Sequence, residues 1–245
     1  MGLSSCNAKE ETMKIALVHG QNRKGSSYNI GRFLADKIAG DKDIKEFFLP
    51  KDLGGIFCLG CYQCIKNPAS CPYFQQKQKI MDAILDSDLL IFTSPTYCML
   101  PSAGMKAFMD LTFNYWMVHR PDAGMFNKKA VVISTAAGMG AGKVTKEIAN
   151  TLFYWGIPKI SRLGFAVQAM NWESVKPDKK NRIEKSVTKL AAELSKNKKV
   201  RVGIKTKFMF NIMRMMQKNG MGSSPEEKEY WQSNGWLDSN RPWKK

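Results

Sequence analysis

The chain has 245 residues, 44% of them hydrophobic and 24% charged. This composition is typical of a globular protein with one large or two small domains, and it excludes the disordered and fibrous classes. The longest apolar runs, at residues 89–92 and 130–133, are a few residues long, whereas a membrane-spanning helix needs roughly 18. We therefore expect no transmembrane segment.

The net charge of +17 is concentrated towards the C-terminus. Residues 171–245 carry 18 basic and 8 acidic side chains, a net charge of +10, and residues 1–170 carry 20 and 13, a net charge of +7. Such a surface attracts phosphates, anionic cofactors, nucleic acid or acidic membrane, or it serves only solubility. A nucleic-acid-binding or scaffold protein is a distant alternative, because acidic residues are interspersed and the aromatic motifs of nucleic-acid binders are missing; no specific nucleic-acid partner is expected.

The predicted elements alternate between strands and helices. In chain order they are a strand at residues 14–19, a helix at 28–38, a strand at 44–49, a helix that includes 79–85, a strand at 88–95, a helix at 103–117, a strand at 129–135, a helix at 144–155, a strand at 163–167 and a helix at 178–195. Connections too long for hairpins imply a parallel sheet that is covered on both faces. The predicted fold is α/β, with a doubly wound five-stranded parallel sheet over residues 14–200 and a C-terminal helical extension over residues 201–245.

The N-terminus and the cysteines bear on the compartment. Residues 1–13 contain no apolar stretch of signal-peptide length, so we predict a flexible N-terminus and a cytoplasmic protein. Four of the six cysteines lie between residues 58 and 71. This spacing suits a metal or redox site in a reducing compartment better than a disulfide scaffold.

The loop after the first strand, HGQNRKGSSYN at residues 19–29, has the features of an anion-binding loop. Ser26 and Ser27 stand where a helix begins, so free backbone N–H groups, two hydroxyls and Arg23 or Lys24 could converge on one phosphate. The loop matches neither GxxxxGK[ST] nor GxGxxG, which disfavours a nucleoside triphosphate or a Rossmann-type dinucleotide. A plain helix start with Ser26 or Ser27 as N-cap is the alternative.

Two further loops follow the third and fourth strands, where ligands of doubly wound sheets bind. The first, SPTYCMLPSAGMKAF at residues 94–108, carries hydroxyls, an aromatic ring and two prolines before a helix begins near Ser102. The second, TAAGMGAGK at residues 135–143, consists mainly of small residues. It is either a flexible turn or a place where a flat ligand approaches the backbone closely.

Together these three segments resemble the flavodoxin-like NAD(P)H-dependent FMN reductase family. HGQNRKGSS is similar to the phosphate loop of that family, except that Gln21 replaces the usual Ser. SPTYCMLPSAGMKAFMD is similar to the family's segment that lines the flavin ring and ribityl chain, and STAAGMGAG resembles the loop that closes on the ring edge. The resemblance covers residues 14–167 and implies a flavodoxin-like fold.

The resemblance also implies the cofactors and the site. FMN would be bound and NAD(P)H would be a substrate, with a quinone, nitro compound, free flavin or protein as electron acceptor. The chemistry would belong to the flavin, so no catalytic side chain is implied, and the two histidines form no Ser-His-Asp or HExxH pattern. The implied cofactor-binding residues are Gln21, Arg23, Ser26, Ser27, Ser94, Pro95, Thr96, Tyr97, Ala136, Ala137, Gly138 and Met139.

The four clustered cysteines are Cys58, Cys61, Cys64 and Cys71. Thiolates are soft ligands, so four within fourteen residues could enclose iron–sulfur or zinc, and structural or redox-active free thiols are the other possibility. The spacing resembles that of the iron–sulfur flavoproteins of this superfamily. This second resemblance implies a four-iron four-sulfur cluster in addition to FMN. The protein would then be an electron carrier whose function includes no nicotinamide step.

The C-terminal extension contains a predicted amphipathic helix at residues 203–219. Its predicted apolar face comprises Ile204, Phe208, Met209, Ile212, Met213, Met215 and Met216, and its polar stripe comprises Lys207, Asn211, Arg214 and Lys218. Three coverings are considered for the apolar face: the chain's own domain, a second subunit, or an anionic membrane. We favour a homodimer in which this helix and an arm with Trp231, Trp236 and Trp243 cross the partner.

Overall fold

The computed structural model describes residues 13–196, 200–221 and 224–244. The predicted flexible segment 1–13 lies almost entirely outside the described residues. The strands are β1 (Ile15–His19), β2 (Ile44–Phe48), β3 (Leu89–Tyr97), β4 (Leu100–Pro101), β5 (Lys129–Ala136) and β6 (Lys159–Ala166). Five of them form a parallel sheet in the order β2-β1-β3-β5-β6, and β4 pairs antiparallel with β3.

The helices cover both faces of this sheet. They are α1 (Ser26–Asp36), α2 (Leu49–Asp52), α3 (Gln63–Lys66), α4 (Phe74–Asp86), α5 (Ala103–Leu111), α6 (Ala141–Tyr154), α7 (Pro177–Lys196), α8 (Ile204–Lys218) and α9 (Pro225–Ser233). The side chains of α4, α5 and α6 form one core with the sheet, and those of α1 and α7 form the other. The predicted doubly wound α/β fold is confirmed. In the described part of the chain, no helix is both long and apolar enough to cross a bilayer.

The side chains of β1 point alternately into the two cores. All of its residues are buried; Ala16 and Val18 face the α4–α6 side, and Ile15 and Leu17 face the α1–α7 side. A strand that is covered on both faces is mainly apolar, because successive side chains enter the cores on opposite faces of the sheet. This is why β1, β3 and β5 are predicted almost to the residue.

Element ends differ from the prediction where local hydrogen bonds decide them. The third predicted helix ends at Leu111 instead of Met117, because the Thr112 hydroxyl donates to the carbonyl of Phe108 at 2.6 Å and a short 3-10 turn follows. Strand β6 begins at Lys159, four residues before the predicted start. It is an edge strand in which no residue is fully buried, and its first residues include Lys159 and Arg162, so this part of the chain lacks the apolar run of a central strand.

The C-terminal extension packs on its own chain. A third apolar cluster joins Phe210, Trp231 and Trp236 to Met117 and Phe126 of the α/β domain. Polar contacts reinforce it: the Trp231 indole donates to the carbonyl of His119 at 2.8 Å. The favoured arrangement, with the Trp arm laid across a second subunit, is therefore not the one the structure adopts. Trp231 and Trp236 are buried in their own chain, and Trp243 is half-buried against the same cluster.

Helix α8 also buries a different side from the one predicted. Thr206, Phe210 and Gln217 are its buried residues, while Ile204 and Phe208, which belong to the predicted apolar face, are exposed. The reason is the large Phe210 ring, which contacts Phe126, Trp231, Trp236 and Trp243. Of the predicted apolar face, only Met209 and Met213 pack against the cluster.

A buried polar network joins the first three strands of the sheet. His19 is 1% exposed, its Nδ1 lies 2.7 Å from the Thr93 hydroxyl, and its Nε2 lies 2.9 Å from a carboxylate oxygen of Glu46. The rings of Tyr28 and Phe48 flank the imidazole. The hydrogen bond from His19 lowers the pKa of Glu46, with the charges of His19 and Arg32 acting in the same direction against the effect of burial.

The first prediction concerns Gly31 in α1. A Cβ at this position would lie 2.4 Å from the Thr93 Cγ2 atom, and Thr93 cannot turn away without losing its contact with His19. We expect Gly31→Ala to lower the free energy of unfolding by about 1–3 kcal/mol, as overpacked cores do. The control is Gly142→Ala in α6, where nothing lies within 4 Å of the added Cβ. Urea denaturation that finds the two variants equally stable would contradict this account.

The second prediction concerns pH. Because the folded pKa of Glu46 is below its ordinary value of 4.5, its stabilising contribution is complete above the unfolded pKa and disappears as pH falls through the folded pKa. We expect Glu46→Gln to be less stable than the natural chain at pH 7, with the difference closing below pH 4.5. Urea denaturation across this pH range measures the difference. A difference that stays constant with pH would show that charge at Glu46 is irrelevant.

Candidate functional site

A cleft of about 260 Å³ lies at the carboxyl ends of the parallel strands. It is formed by the C-terminal residues of β3 and β5 and by the loops that follow β1, β5 and β6. The sequence predicts ligand-binding segments at residues 19–29, 94–108 and 135–143, and each of them contributes to the lining. Its lining residues are Gln21, Arg23, Gly25, Ser26, Ser27, Pro95, Thr96, Tyr97, Thr135, Ala136, Ala137, Val167, Ala169 and Met170. Loops that are far apart in sequence thus meet at one edge of the sheet.

The start of α1 forms one end of the cleft. Gly25 is the N-cap residue, no side chain caps the helix, and its first turn contains no acidic residue. The alternative in which Ser26 or Ser27 is the N-cap is therefore wrong. The first N–H groups of a helix have no partner within the helix and carry a partial positive charge. Uncapped and facing a cleft, this end of α1 suits an anion.

Arg23 supplies the only charge among the lining residues in the described chain. One of its guanidinium nitrogens donates to the carbonyl of Met170 at 2.5 Å, which ties the loop after β1 to the loop after β6. Gln21 also lines the cleft, with its side-chain oxygen accepting from the N–H of Asn22. Lys24, the other candidate phosphate ligand, instead lies over the ring of Tyr28 at 5.3 Å.

Ser94 does not line the cleft; it holds the loops behind it together. Its side chain is fully buried, accepts from the N–H of Ser102 at 3.0 Å and donates to the carbonyl of Pro95 at 2.9 Å. The Ser102 hydroxyl in turn donates to the carbonyl of Gly20 at 2.6 Å. A Cβ on Gly20 would lie 2.4 Å from that hydroxyl oxygen, so glycine is required for this approach.

A tight turn after Tyr97 forms the rim of the cleft. Cys98 and Met99 have φ of 50° and 64°, and Tyr97 pairs with Leu100 across the turn. Two adjacent non-glycine residues in the left-handed region are costly and persist only where surrounding structure holds them. Met99 packs closely against Gly140 in the loop after β5. A Cβ on Gly140 would lie only 2.8 Å from the Met99 sulfur. No sequence signal identified this turn.

The loops after β5 and β6 complete the cleft. Ala136 and Ala137 line it as predicted, whereas Gly138 and Met139, also predicted contacts, are exposed and lie outside the lining. The loop after β6, which contributes Val167, Ala169 and Met170 to the lining, is not predicted from the sequence as part of the site. Hydrogen bonds from Val167 N–H to the Ala136 carbonyl (2.9 Å) and from Gln168 N–H to the Ala137 carbonyl (3.0 Å) extend the pairing and bring this loop to the cleft. The predicted strand at residues 163–167 was the available signal.

The four clustered cysteines line a separate, very small pocket of about 10 Å³. Cys64 is buried, and burial raises the pKa of its thiol while the positive charge of Lys77 acts in the opposite direction. The Lys77 ammonium is itself fully buried and donates to the carbonyl of Leu111 at 2.9 Å. Across the described ranges, no three His, Cys, Asp or Glu side chains are arranged so that they could hold a metal ion. The cysteines therefore share a pocket but do not form a metal site as they stand.

Comparisons with known proteins identify the family. The family model for NADPH-dependent FMN reductase matches residues 13–171, more than half of the chain. A search of the curated proteins found no match.

Solved structures with the same fold include two azoreductases and a quinone reductase. An FMN-dependent NADH-azoreductase from Bacillus anthracis str. Ames Ancestor, solved in complex with FMN, has a TM-score of 0.56 at 11% identity and covers 74% of this chain and 99% of its own. An azoreductase from Bacillus anthracis str. Sterne has a TM-score of 0.54 at 16% identity, covering 75% and 98%. An NAD(P)H:quinone oxidoreductase from Methanothermobacter marburgensis has a TM-score of 0.53 at 13% identity, covering 73% and 96%. At these identities the similarity establishes the flavodoxin-like fold.

The family match spans the strands and loops that build the cleft, from the first residue described to Asn171. The chain therefore belongs to the NADPH-dependent FMN reductase family and is an NAD(P)H-dependent flavin oxidoreductase.

Proposed function

We propose that FMN binds in the cleft and that the chain passes reducing equivalents from NAD(P)H to a quinone, a nitro compound, free flavin or a protein acceptor. The observation that carries this proposal is the uncapped, acid-free start of α1 in the same cleft as the small residues after β5. Together they offer an anion site and, beside it, a surface that a flat ring can approach.

The phosphate end of the cleft is assigned to Arg23, Ser26 and Ser27. Backbone N–H groups at the start of α1, the two serine hydroxyls and the guanidinium are all donors, and no carboxylate lines the cleft in the described chain. Gln21 would add an amide donor where the family usually has Ser. A dianionic phosphate is thereby matched by donors alone.

The ring end is assigned to Pro95, Thr96, Tyr97, Ala136 and Ala137. These side chains are small or flat, and the tight turn at Cys98 and Met99 fixes the position of Tyr97. Ser94 is assigned a positioning role because its hydroxyl is used within the protein. Gly138 and Met139 would contact the ring only if their exposed loop moved onto it.

FMN, when bound, supplies the hydride and electron-transfer chemistry. The chain's own contribution is to bind and orient the cofactor and to leave one side of its ring accessible to substrates in turn. We assign no side chain as a general acid or base, since Arg23 and Tyr97 are the only ionisable lining residues in the described part of the chain.

An iron–sulfur electron carrier is the second candidate. Cys58, Cys61, Cys64 and Cys71 line one pocket, which favours it. However, the described side chains are not arranged to hold a metal ion. Zinc or free thiols are the other uses of this pocket.

The homodimer and the cytoplasmic location remain predictions. Since Trp231 and Trp236 are buried in their own chain, a dimer would have to form through other surfaces than the Trp arm. Light scattering of the purified protein measures its mass in solution directly.

The third prediction tests the phosphate site. Removing a charged hydrogen-bond donor from an exposed position costs about 1.5 kcal/mol, so Arg23→Gln should weaken FMN binding roughly tenfold. Riboflavin lacks the phosphate, and its Kd should change much less. The matched control is Lys189→Gln on α7, an exposed cation that does not line the cleft. Equal effects of Arg23→Gln on FMN and riboflavin would contradict the phosphate assignment.

The fourth prediction tests the function. Protein purified without oxygen should carry about one FMN per chain and no iron or acid-labile sulfide, and NADPH or NADH should bleach its flavin bands. About four irons per chain would instead favour the electron carrier. Absence of flavin, together with failure of added FMN to bind, would overturn the proposed function.

A further inference from the structure

Helix α8 has a second apolar stripe that faces away from the protein. Ile204, Phe208 and Met215 are 87%, 64% and 54% exposed. Their spacing of four and seven residues places them along one side of the helix. The opposite side is held in place by Phe210 in the third apolar cluster. On the flank of the helix, the Arg214 guanidinium donates to the carbonyls of Trp236 and Leu237 at 2.8 Å.

Lysines border this stripe on both sides. At 100° per residue, Lys205 lies along one edge of the stripe, and Lys207 and Lys218 lie along the other. All three are exposed. Where the structure describes the chain, none of the cationic groups of α8 forms an ion pair. The Lys205 ammonium lies over the ring of Phe153 at 4.7 Å, and the Arg214 guanidinium donates to carbonyls of its own chain, so Lys207 and Lys218 are the two whose charge is available to an external partner.

The surrounding sequence contains no negative charge. Residues 194–225 include eight Lys or Arg and no Asp or Glu. A two-fold contact between copies of this chain would place one such segment against another, because the same patch serves both sides of an isologous interface. Repulsion between the two sets of cations disfavours that pairing. The occupant that satisfies both the apolar stripe and its lysine borders carries negative charge over an apolar layer.

We infer that α8 docks on an anionic lipid bilayer, lying parallel to the surface. Ile204, Phe208 and Met215 would enter the headgroup and acyl boundary, while the bordering lysines contact lipid phosphates. The helix packs beside Phe126, which precedes β5, and Tyr154, which ends α6. Both mark the amino edge of the sheet, so docking leaves the cleft at the carboxyl edge open to water.

Vesicle sedimentation of the full chain tests this inference. We expect binding to phosphatidylcholine vesicles that contain phosphatidylglycerol, and little binding to phosphatidylcholine alone. Phe208→Ser should weaken binding about tenfold by removing apolar contact. Removing Lys207 and Lys218 by substitution with Gln should weaken it about fivefold for each lysine.

Phe57→Ser is the matched control, because Phe57 is also a phenylalanine and is 62% exposed, close to the 64% of Phe208. Its binding should equal that of the natural chain, and all variants should keep their thermal melting point and their NAD(P)H oxidation in solution, which separates this inference from the proposed function. Absence of binding to the anionic vesicles overturns the inference. So does binding that is unaffected by Phe208→Ser, or a dimer that forms through Phe208 in the absence of lipid.

Discussion

The hydrogen bond from the buried Ser102 hydroxyl to the Gly20 carbonyl is the contact on which the site depends. It joins the loop that leads to α1 with the start of α5, and Ser94 extends the link to the end of β3. Gly20 permits the approach because it has no Cβ. The uncapped end of α1 is thereby fixed relative to Thr96 and Tyr97. Without this link the anion site and the ring surface would be separate loops.

A second set of buried polar contacts lies within the sheet, beneath the loops that form the cleft. His19 uses both ring nitrogens to join β2 and β3 to β1, so the strand that leads to the start of α1 cannot shift alone. Gly31 brings α1 against Thr93 at a distance that no side chain would permit. The position of the α1 N-terminus is therefore set by the core, and an anion that binds there meets donors that need little rearrangement.

Elements that are buried on both faces are the ones that the sequence predicts well. β1, β3 and β5 each contain a continuous apolar run, at residues 15–18, 89–92 and 130–133, and the segments that follow these runs carry recognisable small and hydroxylated residues. The sheet edge and the rim of the cleft are predicted less well. The loop after β6 has no motif of its own and reaches the cleft only through pairing with β5. The turn at Cys98 and Met99 uses residues that rarely adopt positive φ, so propensity argues against it.

The C-terminal extension shows a different limit. Helical periodicity identified α8, but its apolar residues cover so much of the helix surface that periodicity alone does not give the buried side. Phe210, among three tryptophan rings and Phe126, decides the orientation. The helix therefore carries one apolar side for its own domain and another for an external surface. The cleft and this surface lie at opposite edges of the sheet, which allows each to act without blocking the other.

A crystal structure of the chain loaded with FMN tests the central claim most directly. The account predicts phosphate oxygens about 3 Å from the backbone nitrogens of Ser26 and Ser27, with the flavin ring beside Thr96 and Ala137. A phosphate bound away from the start of α1, or a flavin ring bound outside the cleft, would contradict the account even if the protein reduces its acceptor.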